Sequence, residues 1–250
     1  MEPWHYDPAR DLEQPLLERL RNFPREPDML VYGLRTLAAL AMRGWLQAYH
    51  RFAVAGRENL PRDRSFVMVA NHASHLDALS LLAALPLGKV HRAFPAAARD
   101  YFFETAPRVF LAAVVVNALP FDRQARGRQS LSICWKVLEN PGNILIIFPE
   151  GTRSTTGDVA DFKPGIGLLV AGTEHPVVPC YLQGAHRAWP KGAIFPRPRA
   201  LRLTIGVPRT FSHLSRGKEA AVAISRELRE AVVSLKSAAA ASAPPLETAS

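Results

Sequence analysis

The chain has 250 residues, an apolar share of 48% and a formal charge of +9, which suits one α/β domain with a single core. Two cysteines, Cys134 and Cys180, form neither a disulfide framework nor a metal-binding spacing, which points to a reducing compartment. No run approaches the roughly 18 to 20 apolar residues that span a bilayer, and the polar, acidic start Met1-Glu2-Pro3-Trp4-His5-Tyr6-Asp7 is unlike a secretory signal. The basic balance favours anionic partners such as phosphate esters or acidic lipid surfaces. Its arginines are spread along the chain without a nucleic-acid motif, so nucleic acid is set aside.

Residues 1–28 carry Pro3, Pro8, Pro15, Pro24 and Pro27 among charges and read as an irregular lead. From Met29 to Phe52, Leu30, Leu34, Leu37, Ala41, Trp45 and Ala48 recur at helical spacing, with Arg35, Arg43 and Arg51 among them. Such an amphipathic helix either packs on the domain or lies in a membrane interface with its long basic side chains reaching headgroups. A turn-rich stretch, Gly56 to Asp63, leads to an expected strand at Ser65–Ala70, and Ala78–Leu85 reads as a helix ending before Pro86. Further expectations are a strand over Lys89–Ala96, a helix from Asp100 to about Leu111, a strand over Ala112–Asn117 and a helix over Gln129–Glu139. Asn143–Phe148 is the clearest buried strand, followed by a short helix after Phe162–Gly167 and strands at Val177–Leu182 and Ala200–Gly206. An amphipathic helix over about Lys218–Lys236 precedes a disordered tail. Strands alternating with helices predict a single α/β domain with a mixed, largely parallel sheet flanked by helices, plus the N-terminal helix. The expected sections are 1–58, 59–237 and 238–250.

The chemistry concentrates where strands end. After Ser65–Ala70 comes Asn71-His72-Ala73-Ser74-His75-Leu76-Asp77, in which His72 stands five residues before Asp77. A histidine at the carboxyl edge of a parallel sheet, held in one tautomer by a carboxylate, is a candidate general base. The same residues also fit a helix start, because Ser74-x-x-Asp77 resembles a capping box in which backbone amides occupy Asp77. The spacing leaves both readings open. Two more expected strands end in Arg123, with Arg126 and Arg128 after it, and in Glu150-Gly151-Thr152-Arg153. Arginine's planar fork suits a phosphate monoester, although Arg123 could equally pair with Asp122 and the second block could be a turn with an internal ion pair.

Taken in order, Asn71-His72-x4-Asp77, Phe121-Asp122-Arg123, Phe148-Pro149-Glu150-Gly151-Thr152-Arg153-Ser154 and Val178-Pro179 resemble the phospholipid/glycerol acyltransferases over about residues 60–210. The resemblance implies that His72 is the general base and that Asp77 orients it. It implies that Arg123, Glu150, Gly151, Thr152 and Arg153 line the site of a glycerol-phosphate acceptor, and that Val178 and Pro179 lie near the acyl donor. The second block departs from the usual pattern, with Asn117 and Pro120 where glycine and phenylalanine are common.

No Gly-x-Ser-x-Gly elbow is present, and both cysteines fall inside expected elements, so direct transfer is favoured over a covalent acyl-enzyme. The expected partners are a lysophospholipid acceptor, acyl-CoA or acyl carrier protein as donor, and the cytoplasmic face of a membrane. No metal or other cofactor is expected. Backbone amides at the start of the helix after His72 are candidate oxyanion donors. The alternatives are transfer to another lysolipid, transfer to water, and a non-catalytic basic module for lipid surfaces.

Overall fold

A computed structural model describes residues 29–98, 110–121 and 128–241. The lead over 1–28, most of the helix expected from Asp100, the Asp122-Arg123 pair and the end of the tail lie outside the described residues.

The long first helix, α1 (Met29–His50), is followed by β1 (Ala53–Ala55), β2 (Phe66–Ala70) and α2 (Leu76–Ala84). Then come β3 (Ala93–Ala98), β4 (Leu119–Phe121), α3 (Arg128–Glu139), β5 (Ile144–Ile147) and α4 (Gly165–Val170). The chain closes with β6 (Val177–Gln183), α5 (Ala185–Ala188), β7 (Arg202–Ile205) and α6 (Lys218–Ala241). The strands form one seven-stranded sheet in the order β1-β7-β6-β2-β5-β3-β4. Every neighbouring pair is parallel except β6 with β7, so the sheet is mixed and largely parallel as expected.

The central strands β2 and β5 are apolar at every position because both faces of the sheet are covered. Alternate side chains divide between two cores. Phe66, Met68 and Ala70 of β2 pack with Leu76, Leu81 and Leu82 of α2 and with Leu46 of α1. Val67 and Val69 pack with Val137 and Leu138 of α3, Ile166 and Leu169 of α4, and Ile224 and Leu228 of α6. On that second face α4 meets α6 through Gly167, where a methyl group would stand 2.1 Å from the Ala221 carbonyl oxygen and 2.5 Å from its Cα. Gly167→Ala is therefore expected to destabilise the fold by about 1–3 kcal/mol through overpacking. A urea midpoint equal to wild type would show that the two helices part freely.

Several expectations need correction. The apolar run Ala112–Val116 is not a strand but a single π-helical turn, Leu111–Val115, and the strand comes later, at β4. Its carbonyls are claimed from a distance: Arg35 of α1 donates from Nε to Val114 O and from a terminal nitrogen to Ala113 O, both at 2.8 Å. Asn117, in the left-handed region at φ 55, ends the turn and donates its amide to His91 O and Ala93 O. Arg35 is thus buried and unavailable to headgroups, and burial lowers its pKa to about 10. The strand expected from Lys89 begins only at Ala93, because Leu87–Arg92 winds into a 3-10 helix after Pro86. The first helix stops at His50, where Arg51 turns to φ 47. The last one continues beyond Lys236 to Ala241, where an alanine run with high helix propensity extends it into the section expected to be a tail.

No described helix is long and apolar enough to cross a membrane. The outer face of α1 is nevertheless apolar and open: Met29 is 85%, Leu30 72% and Leu37 65% exposed. Its inner face, with Ala39 and Leu46, is buried on the domain.

Candidate active site

The site grows from the carboxyl ends of β2 and β5, which run parallel with Val69 opposite Ile147. Beyond the last paired residue of β2, Asn71 continues the ladder with its side chain. Its amide nitrogen donates to Leu182 O at 3.1 Å, and its carbonyl oxygen accepts from Leu182 N at 2.8 Å. The backbone is therefore still anchored to β6 at the residue before His72.

His72 is fixed on four sides. Its Nδ1 lies 2.8 Å from Asp77 Oδ2 and donates to it, and its ring stacks on Phe148 with centroids 4.3 Å apart. Its amide donates to Glu150 Oε1 at 2.7 Å, and its carbonyl accepts from Ser154 N at 2.7 Å. The side chain remains 20% exposed, and Nε2 has no hydrogen-bond partner among the described residues. A neutral imidazole with Nδ1–H pinned to a carboxylate presents Nε2 as its acceptor, which is the form a general base requires.

Asp77 is fully buried, and its Oδ2 also accepts from Ala73 N at 2.6 Å and Ser74 N at 2.8 Å. One carboxylate oxygen thus serves the helix start and the imidazole together, so the two arrangements are compatible. Ser74 Oγ also accepts from Leu76 N at 3.1 Å at the entry to the helix. One expectation is corrected by the same bonds. The amides of Ala73, Ser74 and Leu76, at the entry to α2, are already committed within the protein and are not open to an oxyanion.

Glu150 lies opposite, 5% exposed, at the end of β5. Its Oε1 holds His72 N and its Oε2 accepts from Ala160 N at 3.1 Å, so the carboxylate joins the 72 loop to the 150–160 loop. Burial pushes its pKa above the usual carboxylate value, and the two amide bonds oppose that rise. Gly151 turns at φ +74, and a side chain there would strike Lys163 Nζ at 2.6 Å, so the Lys163 ammonium lies over this turn. Thr152 is exposed and Arg153 half-buried.

The second histidine, His75, packs against Trp189 at 5.4 Å. Burial, then the Arg153 guanidinium and His72, push its pKa down to about 4, against a weaker opposing pull from Asp77. A histidine held neutral when folded but protonated below about 6.5 when unfolded contributes stability that is full above 6.5 and fades as pH falls toward 4. Unfolding midpoints measured across that window should decline in the wild-type protein, with a shallower decline in His75→Gln. Identical slopes would show that another group is responsible.

The structure thus brings His72, Asp77, Glu150 and Gly151 together, with Arg153 close enough to act on His75. Val178 and Pro179 are buried in the middle of β6, paired with Met68 and Val69 of the strand that leads to His72. Arg123 lies outside the described residues. Burial raises the pKa of both thiols, that of Cys134 to about 12, so neither is a nucleophile at neutral pH. The sequence reading named Asn71 and Phe148 within its motif blocks but gave them no role, and it did not single out Ala160. The place of Asn71 and Phe148 directly beside His72 and at the head of the Glu150 block was the available signal.

Residues 51–183, just over half of the chain, match the acyltransferase family. The chain belongs to the acyltransferase family. A Bacillus subtilis member named 1-acyl-sn-glycerol-3-phosphate acyltransferase is 28% identical over 200 residues, covering 79% of this chain and 91% of that protein. A Limnanthes douglasii protein of the same name is 32% identical over 134 residues, covering 53% of this chain and 46% of its own length. The chain therefore spans about half the length of the plant acyltransferases that it matches. Among solved acyltransferase structures, the 1-acyl-sn-glycerophosphate acyltransferase PlsC of Thermotoga maritima superposes with a TM-score of 0.60 at 26% identity, over 83% of this chain and 80% of that one.

Proposed function

We propose that this acyltransferase moves a fatty acyl group from acyl-CoA or acyl carrier protein to the free hydroxyl of a 1-acyl-glycerol-3-phosphate. The reading rests on the His72 Nδ1–Asp77 Oδ2 contact of 2.8 Å, which leaves Nε2 as a base at the carboxyl edge of the sheet. His72 Nε2 takes the proton from the acceptor hydroxyl as its oxygen attacks the thioester carbonyl. The tetrahedral intermediate then collapses, the C–S bond breaks, and the imidazolium returns its proton to the thiolate. The products are the diacyl ester and a free thiol. Asp77 holds the tautomer and stabilises the imidazolium while it lasts. Arg153 and Arg123 bind the acceptor phosphate, and holding both substrates makes the encounter effectively unimolecular. The thioester supplies the driving force, and the proposed reaction uses no further cofactor. The relatives' shared name supports the acceptor, and the open apolar face of α1 supports a place on a membrane surface, which the reading puts on the cytoplasmic side.

The test is a mass-spectrometric assay of the purified chain with acyl-CoA or acyl carrier protein and a panel of lysolipids. Diacyl product is expected with lysophosphatidic acid, and Arg153→Gln should raise the KM for that acceptor about tenfold with little change for the donor. Free fatty acid without acceptor would replace the proposal with hydrolysis, and preference for a lysolipid lacking a phosphate monoester would replace the acceptor.

A further inference from the structure

A charged cavity lies at the opposite edge of the sheet from His72. Its volume is about 630 Å³, and it opens where β2 and β5 begin, beside the end of α2. Phe66, Leu85 and Ile144 give it an apolar floor, while Arg43, Arg57, Arg62 and Lys89 line it against a single carboxylate, Asp63. None of the four cations forms a salt bridge among the described residues. Lys89 Nζ donates to Arg62 O at 2.6 Å, and a terminal nitrogen of Arg43 donates to Leu85 O. The Nε of Arg43 is buried without a hydrogen-bond partner among the described residues. Burial, followed by the charge of Arg57, lowers the Arg43 pKa, so like charges stand close here and outnumber the one carboxylate.

We infer that this cavity is a second anion site, taking a phosphate group carried on an apolar body. Unpaired guanidinium donors suit phosphate oxygens, and the floor accepts the apolar part. The five residues of β2 separate it by roughly 17 Å from the catalytic edge, so one acceptor phosphate does not serve both. Two sources share this chemistry, an anionic phospholipid headgroup and a water-soluble phosphate ester. Arg43 lies on α1 at the border of the exposed face that carries Leu37 and Leu40, which favours the lipid. The inference stands apart from the acyl-transfer reading.

The experiment compares the full chain with an Arg57→Gln/Arg62→Gln double variant, whose replaced side chains are exposed; matching thermal midpoints confirm that the variant is folded. Two controls accompany it: Lys218→Gln/Arg226→Gln, which removes the same charge from exposed positions on α6, and Arg153→Gln at the catalytic edge. Binding is measured to vesicles of phosphatidylcholine with phosphatidylglycerol, to phosphatidylcholine alone, and to glycerol phosphate by calorimetry. Loss of about tenfold or more in affinity for the anionic vesicles in the double variant alone supports the site with a lipid source. The same loss confined to glycerol phosphate supports it with a soluble source. Equal loss in the Lys218→Gln/Arg226→Gln control, loss only in Arg153→Gln, or no loss anywhere overturns it.

Discussion

His72→Ala should lower kcat by about 10³-fold or more, the scale of a lost general base, while the protein stays folded. The replacement removes the group that receives the acceptor proton but leaves its surroundings mostly paired. Asp77 Oδ2 keeps the amides of Ala73 and Ser74, and the backbone of residue 72 keeps Glu150 and Ser154. Asp77→Asn should behave differently. That side chain is fully buried, three donors converge on one oxygen, and Oδ1 lies buried without a partner. An amide there no longer stabilises the imidazolium and no longer selects the Nδ1–H tautomer, so activity should fall about 10⁴-fold and the unfolding midpoint should drop as well. The pair of variants separates chemistry from structure when kcat, KM and thermal midpoint are all measured. If His72→Ala retains more than about one per cent of turnover, which is the weak end of general-base catalysis, the base lies elsewhere. His75 is the candidate then, although it stays neutral down to about pH 4 and packs against Trp189.

Local patterning carried the elements that build this site. The apolar run of β2, the helix ending before Pro86 and the fully apolar β5 are each fixed by neighbours in sequence, and the structure places all three where the reading did. The failures share a physical cause. Ala112–Val116 has the composition of a strand, yet Arg35 binds its carbonyls from 78 and 79 residues away and favours a helical turn. The same contact buries a guanidinium that amphipathic patterning assigns to a membrane surface. In the active site, the His72–Asp77 pair was legible because both partners lie within one strand-to-helix junction. The bond from Ala160 to Glu150 was not, because loop amides carry no side-chain signature of what they will hold.

Glu150→Gln is expected to cost both stability and rate. Each carboxylate oxygen accepts one backbone N–H, from His72 at 2.7 Å and from Ala160 at 3.1 Å. Glutamine keeps the shape but replaces one oxygen with an NH₂ group, so in either amide orientation a donor faces a donor in a buried setting. The penalty for such an unsatisfied group is about 1–3 kcal/mol, or roughly 2–4 °C in Tm for each kcal/mol in a chain of this size. The effect on rate follows from position rather than from contact with substrate. Glu150 holds the amide of the residue that carries the base, and a displacement of about 1 Å at a catalytic group can lower the rate about 100-fold. Kinetics distinguish this role from direct binding of the acceptor, because positioning lowers kcat with little change in acceptor KM, whereas a lost contact to a glycerol hydroxyl raises that KM. Glu150→Asp retains the charge but is one methylene shorter and cannot span both amides, so it too should lose kcat. A Glu150→Gln protein with wild-type Tm and kcat would show that the 72 and 150–160 loops hold their arrangement without the carboxylate between them.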